Sequence, residues 1–339
     1  MGYVLEMEDF SAVIDALKKD YRIFAPVRKE GAGRFTDVDC VIYDEISDAF
    51  DIELTQKSDY SAKEWLTPLS ETLLYFTEED VKEADLPQKP VLIFGRSCDL
   101  HSIQRTDQIY LKNGDAKDPF YQRRRDLIKT VLIGCGQSFD NCFCVSMDTN
   151  QCDDYVFSVD LIDGNVYSDV KDAAFDAYFQ VDKTVETKSV TPQFVTENDV
   201  KVDIPDVIPY QIITDDLWDE YTTRCIGCGR CNFVCPTCTC YTMQDVFYRD
   251  NGRVGERRRV AASCMVDGYT NVAGGGQYRR TNGERMRFKV LHKISDFKKR
   301  FGYQMCVGCG RCDDVCPEYI SFSNIIGKVS NAAEQEVKS

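Results

Sequence analysis

Histidine is nearly missing from this 339-residue chain: only His101 and His292 are present. It is the commonest side chain for proton transfer and metal ligation near neutral pH, so a centre built on several histidines is excluded. Long apolar runs are missing too, and no stretch approaches the ~20 apolar residues of a membrane-spanning helix. The opening Met1-Gly2-Tyr3-Val4-Leu5-Glu6 has neither the basic start nor the apolar core of a secretory signal. Glu6 stands where a myristoylation signal wants Ser or Thr. A cytoplasmic protein without a membrane span is expected. Gly31-Ala-Gly33 lacks the third glycine and the strand–helix setting of a dinucleotide fingerprint, and reads as a hairpin turn.

Cysteine, by contrast, is abundant, with 17 residues. Disulfide scaffolds belong to small secreted domains. In a chain without a signal, tight cysteine clusters read as metal ligands. Two stretches carry the strongest pattern: Cys225-Ile-Gly-Cys228-Gly-Arg-Cys231-Asn-Phe-Val-Cys235-Pro236 and Cys306-Val-Gly-Cys309-Gly-Arg-Cys312-Asp-Asp-Val-Cys316-Pro317. Each reads C-x2-C-x2-C-x3-C-P, the ligand run of a bacterial-type [4Fe–4S] ferredoxin. The first three cysteines wrap one cube in a glycine-loosened loop, and the fourth is turned away to the other cube. One cube is therefore expected on Cys225, Cys228, Cys231 and Cys316, the other on Cys306, Cys309, Cys312 and Cys235. Structural zinc is the alternative. Zinc sites are usually built from separated ligand pairs around one ion, which a repeated run of four fits badly.

Charge is divided along the chain. Residues 221–330 carry 18 Lys and Arg against 9 Asp and Glu, whereas residues 1–220 carry 22 against 45. The basic excess lies around the cysteine runs, where thiolate-bound cubes are anionic, and positive side chains there offset charge and tune potential. No nucleic-acid partner is expected, because the acidic half repels phosphates.

Phe10, Ile14 and Leu17 give residues 7–20 a helical stripe. Short β-like runs follow at Tyr21–Pro26 and Val41–Tyr43. Val91–Gly95 and Val131–Gly134 are compact apolar runs of the kind buried on both faces of a parallel sheet. Residues 102–129 are long enough for the crossover, and Val156–Leu161 reads as a further strand. Ser189–Pro209 reads as a linker or edge segment. Beyond it, helices are expected at Asp215–Arg224, near Tyr241–Tyr248 and over the basic stretch Met286–Arg300, with a flexible Gly274-Gly-Gly276 between. The fold class is α+β: residues 1–200 form an α/β domain with a partly parallel sheet, and residues 201–339 carry the two clusters. The 70 residues between Cys235 and Cys306 resemble the α-helical ferredoxin arrangement of respiratory iron–sulfur subunits.

A second cysteine group lies in the first domain. Cys98 follows the strand at Val91–Gly95 and Cys135 the strand at Val131–Gly134, with Cys142-Phe-Cys144 close behind. If the strands are parallel neighbours, both cysteines emerge at the carboxyl edge, where open α/β sheets hold ligands. Cys98, Cys135, Cys142 and Cys144 then converge on a possible third [4Fe–4S] site. The alternative is that they pack as small hydrophobes, the reading given to Cys40 and Cys152, or hold another metal. Cys238, Cys240 and Cys264 read as packing or supporting groups of the first run, with a ligand role as the alternative.

These residues together resemble the family of iron–sulfur subunits of anaerobic sulfite reductase, with the β subunits of sulfhydrogenase-type NiFe hydrogenases as close relatives. The likeness spans nearly the whole chain. It is carried by Arg22-Ile-Phe-Ala-Pro26, Gly33-Arg34-Phe35, Glu71-Thr-Leu73, Cys98-Asp99 and Asn141-Cys-Phe-Cys144-Val-Ser-Met147, and later by Cys235-Pro-Thr-Cys238-Thr-Cys240, Ala262-Ser-Cys264-Met265 and the run from Cys306 to Asp313. The resemblance implies an electron-transfer component of an NADH-dependent oxidoreductase complex, with no substrate chemistry on this chain. One partner would be a flavin-containing subunit oxidising NAD(P)H, the other a sirohaem subunit reducing sulfite to sulfide. The alternative is the same relay serving a NiFe hydrogenase. A reading of a different class makes the chain a catalyst at an open iron near Cys98 and Asp99. Arg257–Arg259 and Lys298–Arg300 are candidate docking charges, or else solvated helix charge.

Overall fold

The computed structural model describes residues 1–33, 37–86, 88–180 and 186–338. Arg34 and Phe35, quoted in the resemblance above, lie outside them. In chain order the first part holds β1 (Gly2–Glu6), α1 (Met7–Asp20), β2 (Arg22–Lys29), β3 (Cys40–Glu45), β4 (Ser70–Phe76) and β5 (Val81–Glu83). It continues with β6 (Val91–Gly95), α2 (Ser97–Leu111), α3 (Pro119–Asp126), β7 (Ile128–Ile133), β8 (Phe157–Ile162), β9 (Asn165–Asp169) and β10 (Glu186–Thr187).

Eight of these strands form one mixed sheet in the order β10-β1-β9-β8-β7-β6-β2-β3. Its centre is parallel: β6 pairs in parallel with β2 and β7, and β7 with β8. All five residues of β6 are buried, as a strand covered on both faces requires. α1 buries Phe10, Val13, Ile14 and Leu17, a stripe at i, i+3, i+4 and i+7, into the main apolar core. Glu8 and Asp9 in its first turn and Lys18 and Lys19 in its last complement the helix dipole. α2 and α3 fill the crossover between β6 and β7, as a parallel connection demands.

The second part holds α4 (Asp219–Arg224), α5 (Arg230–Phe233), β11 (Tyr241–Phe247), β12 (Gly255–Ala261) and α6 (Asn282–Leu291). A π-helical turn at His292–Asp296 leads into α7 (Phe297–Phe301), followed by α8 (Arg311–Asp314) and α9 (Phe322–Lys338). The basic stretch expected to be helical from Met286 thus starts at Asn282, where Thr281 caps it by accepting from the Glu284 N–H.

One expected helix is a strand. Tyr241–Phe247 is β11, paired with β12, and β12 pairs with β4 to give the sheet β11-β12-β4-β5. Tyr, Thr, Val and Phe favour extended backbone, and the pairing partner near Glu71 lies far away in sequence. The sheet therefore crosses the boundary expected at residue 200. Ser189–Pro209 forms no helix or regular strand, yet it is more than a linker. Phe194 bridges Cys135 in parallel, and Asn198 is buried. Among the described residues no helix is long and apolar enough to cross a membrane.

Candidate metal centres

Each ferredoxin-like run ends in one helical turn, α5 or α8, entered through a glycine in the left-handed region, Gly229 (φ 76°) or Gly310 (φ 71°). The cysteines line two cavities. The first, about 500 Å³ counting its open mouth, is walled by Cys225, Cys228, Cys231 and Cys316, with Met265, Met286 and Lys289 among the rest. The second, about 340 Å³ on the same footing, open space included, is walled by Cys235, Cys306, Cys309 and Cys312, with Lys289 and Lys293. Cys316 of the second run thus reaches the first cavity and Cys235 of the first run reaches the second, while Cys312 borders both.

The donor set fits [4Fe–4S] cubes. Among the described residues no three His, Cys, Asp or Glu side chains close on a point that would hold one ion. The thiols stand instead on the walls of cages. Burial pushes the Cys306 thiol up to about 12 and that of Cys309 to about 11, so they need nearby positive charge to ionise. Bound metal supplies that charge and deprotonates coordinating thiols. The chain contributes its own cations. Burial opposes the charge on Lys289, yet Cys231, Cys312 and Cys238 raise its pKa well above the ordinary lysine range. Lys293 is raised in the same way by Cys235, Cys238 and Cys306, and its Nζ donates to Thr237 Oγ1 at 2.7 Å.

Two further lysines come from the segment between β3 and β4. Lys63 Nζ donates to the carbonyls of Asn232 (2.7 Å), Cys235 (3.0 Å) and Cys238 (3.3 Å), which closes the end of the first run. Lys57 Nζ donates to the Cys309 carbonyl at 3.3 Å and pairs with Asp314 at 2.7 Å. Nothing local in the sequence marks these two lysines.

The two Gly-Arg inserts, alike in sequence, sit in opposite environments. Arg230, Cys228 and Ile226 of the first run are exposed. Arg311 of the second is 1% exposed and forms a bidentate pair with Asp99 (2.7 and 3.1 Å) at the start of α2. It also donates to Ser58, through Nε to the carbonyl at 2.9 Å and Nη2 to Oγ at 2.8 Å. Both Asp99 oxygens are thus taken by Arg311. Asp99 also accepts from Tyr43 Oη (3.2 Å) and the Arg96 N–H (3.3 Å). This carboxylate is a structural tie, which counts against Asp99 as a ligand of an open iron.

The second run is also bonded to the loop carrying Cys142 and Cys144. Phe143 N–H donates to Gly308 O at 2.8 Å. Gly308 (φ 62°) and Gly310 are required here: a Cβ on Gly308 would lie 2.6 Å from Cys144 N, and one on Gly310 2.4 Å from Asn141 O. Gly308→Ala is expected to cost at least ~2 kcal/mol, from left-handed strain plus a backbone clash. Chemical denaturation of the anaerobic protein checks this, with the open-sided Gly302→Ala (φ 87°, no neighbour within 4 Å) as the strain-only control.

Cys238, Cys240 and Cys264 lie beside the first run. The neighbouring Cys238 holds the Cys235 thiol low, and the neighbouring Cys264 does the same for Cys240. Asn232 Nδ2 donates to Cys264 Sγ at 3.1 Å. Cys152 packs with Leu100, Leu132 and Tyr155. Cys40 donates to the Ala32 carbonyl at 3.4 Å.

The Arg257–Arg259 run is not helix charge, and Arg259 is withdrawn from the surface, while Arg257 and Arg258 stay exposed or half-buried. It lies in strand β12, where Arg259 is buried against Glu71 (3.0 Å) and Asp118 (2.6 Å). Arg257 pairs with Asp245 at 2.7 Å and Arg258 with Glu256.

Residues 224–320 match the 4Fe-4S dicluster domain family. Over 346 aligned residues the chain is 31% identical to the sulfhydrogenase 2 subunit beta of Pyrococcus furiosus, covering 97% of this chain and 98% of that protein.

Proposed function

The chain belongs to the family of the sulfhydrogenase 2 subunit beta, and from that membership we propose that it is the iron–sulfur electron relay of a cytoplasmic multi-subunit oxidoreductase. The observation that carries the reading is the exchange of fourth cysteines between the two cavities. We assign Cys225, Cys228, Cys231 and Cys316 to one [4Fe–4S] cube, and Cys306, Cys309, Cys312 and Cys235 to the other, in an α-helical-ferredoxin-like arrangement. Such cubes take up and release single electrons. The residues of this chain hold them close together, shield the second from water and neutralise their charge through Lys289 and Lys293. The first cavity lies at the surface beside Cys228 and Ile226, the side open to a partner.

The partners follow from the resemblance: a flavin subunit oxidising NAD(P)H on one side and a terminal reductase on the other. The relative's name favours a sulfhydrogenase-type complex, hence a NiFe hydrogenase terminal partner. A sirohaem subunit reducing sulfite is the second reading, favoured by the motif order around Cys98-Asp99 and Asn141–Met147. Nickel or sirohaem absorbance in the purified complex separates the two. In that complex, Cys228→Ala is expected to leave the partner's flavin reducible by NADH while delivery to the terminal acceptor falls to background. Undiminished delivery would remove the relay role.

A further inference from the structure

Four thiols outside the two ferredoxin-like runs meet at the carboxyl edge of the parallel sheet. Register sets two of them: Gly95 of β6 pairs with Leu132 of β7, so Cys98 and Cys135 each lie three residues beyond a paired position. The chain then turns through Asn141, whose φ is 60°, and brings Cys142 and Cys144 back.

Geometry brings the loop back over the same edge. Cys98 stands in the first turn of α2, one residue from Asp99, which holds Arg311 of the second run. Cys142 and Cys144 pack against that run at Cys309 and Gly308.

Packing as hydrophobes does not account for them. Cys152, which does pack that way, sits in an apolar cluster; Cys142 and Cys144 are each only 8% exposed, yet their neighbours are polar. Cys144 Sγ faces Asn198 Oδ1 at 3.6 Å, and Cys142 Sγ faces the Cys309 carbonyl at 3.5 Å. Cations surround the group. Lys57 Nζ is 3.8 Å from Cys142 Sγ, and Arg311 acts on Cys98. The Arg96 guanidinium acts on Cys135 while held by the carbonyls of Gly134, Leu54 and Gln56 at 2.9, 2.9 and 3.1 Å. Buried cations around clustered thiols are the surroundings that the two ferredoxin-like cages also have. Among the described residues no three of these side chains close on a point that would hold one ion.

We propose that Cys98, Cys135, Cys142 and Cys144 hold a third [4Fe–4S] cluster, next in line to the cage of the second run. The hydrogen bond from the Phe143 N–H to the Gly308 carbonyl ties the two sites together. Its role as an electron carrier, one electron given for each one taken from the neighbouring cage, rests on the relay reading; its existence does not.

The test is iron and acid-labile sulfide on the anaerobically purified full chain, with electron paramagnetic resonance of the reduced protein. Wild type is expected to hold about twelve irons, four per cube, and Cys135→Ala/Cys144→Ala about eight, with the signals of the two ferredoxin-type cubes retained. Cys152→Ala, which lies in the cluster with Leu100, Leu132 and Tyr155, should keep all of them. About eight irons in wild type, unchanged in the double variant, overturns the third cluster and leaves the relay intact. Zinc bound at these four cysteines also overturns it, and a wild type without iron overturns both readings. Should the double variant fail to fold, the wild-type count decides.

Discussion

Replacing Lys289 by methionine is expected to lower the midpoint potentials of both ferredoxin-type centres, by roughly 100 mV for the nearer one. Lys289 borders both cavities and carries its charge in a buried setting among Cys231, Cys312 and Cys238. Reduction adds a negative charge to each centre, and a nearby cation favours that state. At an effective dielectric of about 20 and a separation of about 7 Å, the interaction is about 2 kcal/mol, or roughly 100 mV for one electron. Methionine keeps much of the length and apolar packing, so the charge is the main loss. Lys298→Met is the control: Lys298 pairs at the surface with Asp206 at 2.8 Å, where solvent and salt screen it. A redox titration followed by electron paramagnetic resonance reads both. Unchanged or raised midpoints in Lys289→Met would show that this lysine does not tune the centres.

Asp99→Ala is expected to destabilise the chain by about 3–5 kcal/mol, because it leaves the Arg311 guanidinium buried without its counter-charge. The pair is almost completely enclosed and joins α2 of the large sheet to the second cysteine run. The decisive comparison is the double variant Asp99→Ala/Arg311→Met. If the cost comes from the stranded charge, removing both partners restores much of the stability, since a buried pair is often replaceable by apolar groups. Guanidinium denaturation under anaerobic conditions measures all three proteins. A double variant as unstable as, or less stable than, Asp99→Ala would instead place the cost in lost packing around Ser58 and Tyr43.

What could be read along the chain was whatever depends on local spacing. The cysteine runs, the stripe of α1, the buried β6 and β7, and the shared edge of Cys98 and Cys135 all follow from periodicity and register. Interactions that join distant segments could not be read. β11 looked helical because its apolar residues are scattered, while the strand neighbours that define its sheet, β12 and β4, must first be brought together. Arg257-Arg-Arg259 looked like a basic patch because Glu71 and Asp118 lie far upstream. Arg230 and Arg311 occupy equivalent positions in identical Gly-Arg inserts, and only Asp99 and Ser58 bury the second. Lys289 and Lys293 belong to a stretch that hydropathy turns outward, yet they point inward because thiols fill the space they face.

The central claim is that the interlocked cysteines hold iron–sulfur cubes. Iron, acid-labile sulfide and zinc per chain, measured on anaerobically purified wild type and on Cys235→Ala/Cys316→Ala, test it most directly. Iron and sulfide in equal amounts, without zinc, with both ferredoxin-type signals weakened together in the double variant, are the predicted result. Stoichiometric zinc without sulfide would contradict the account.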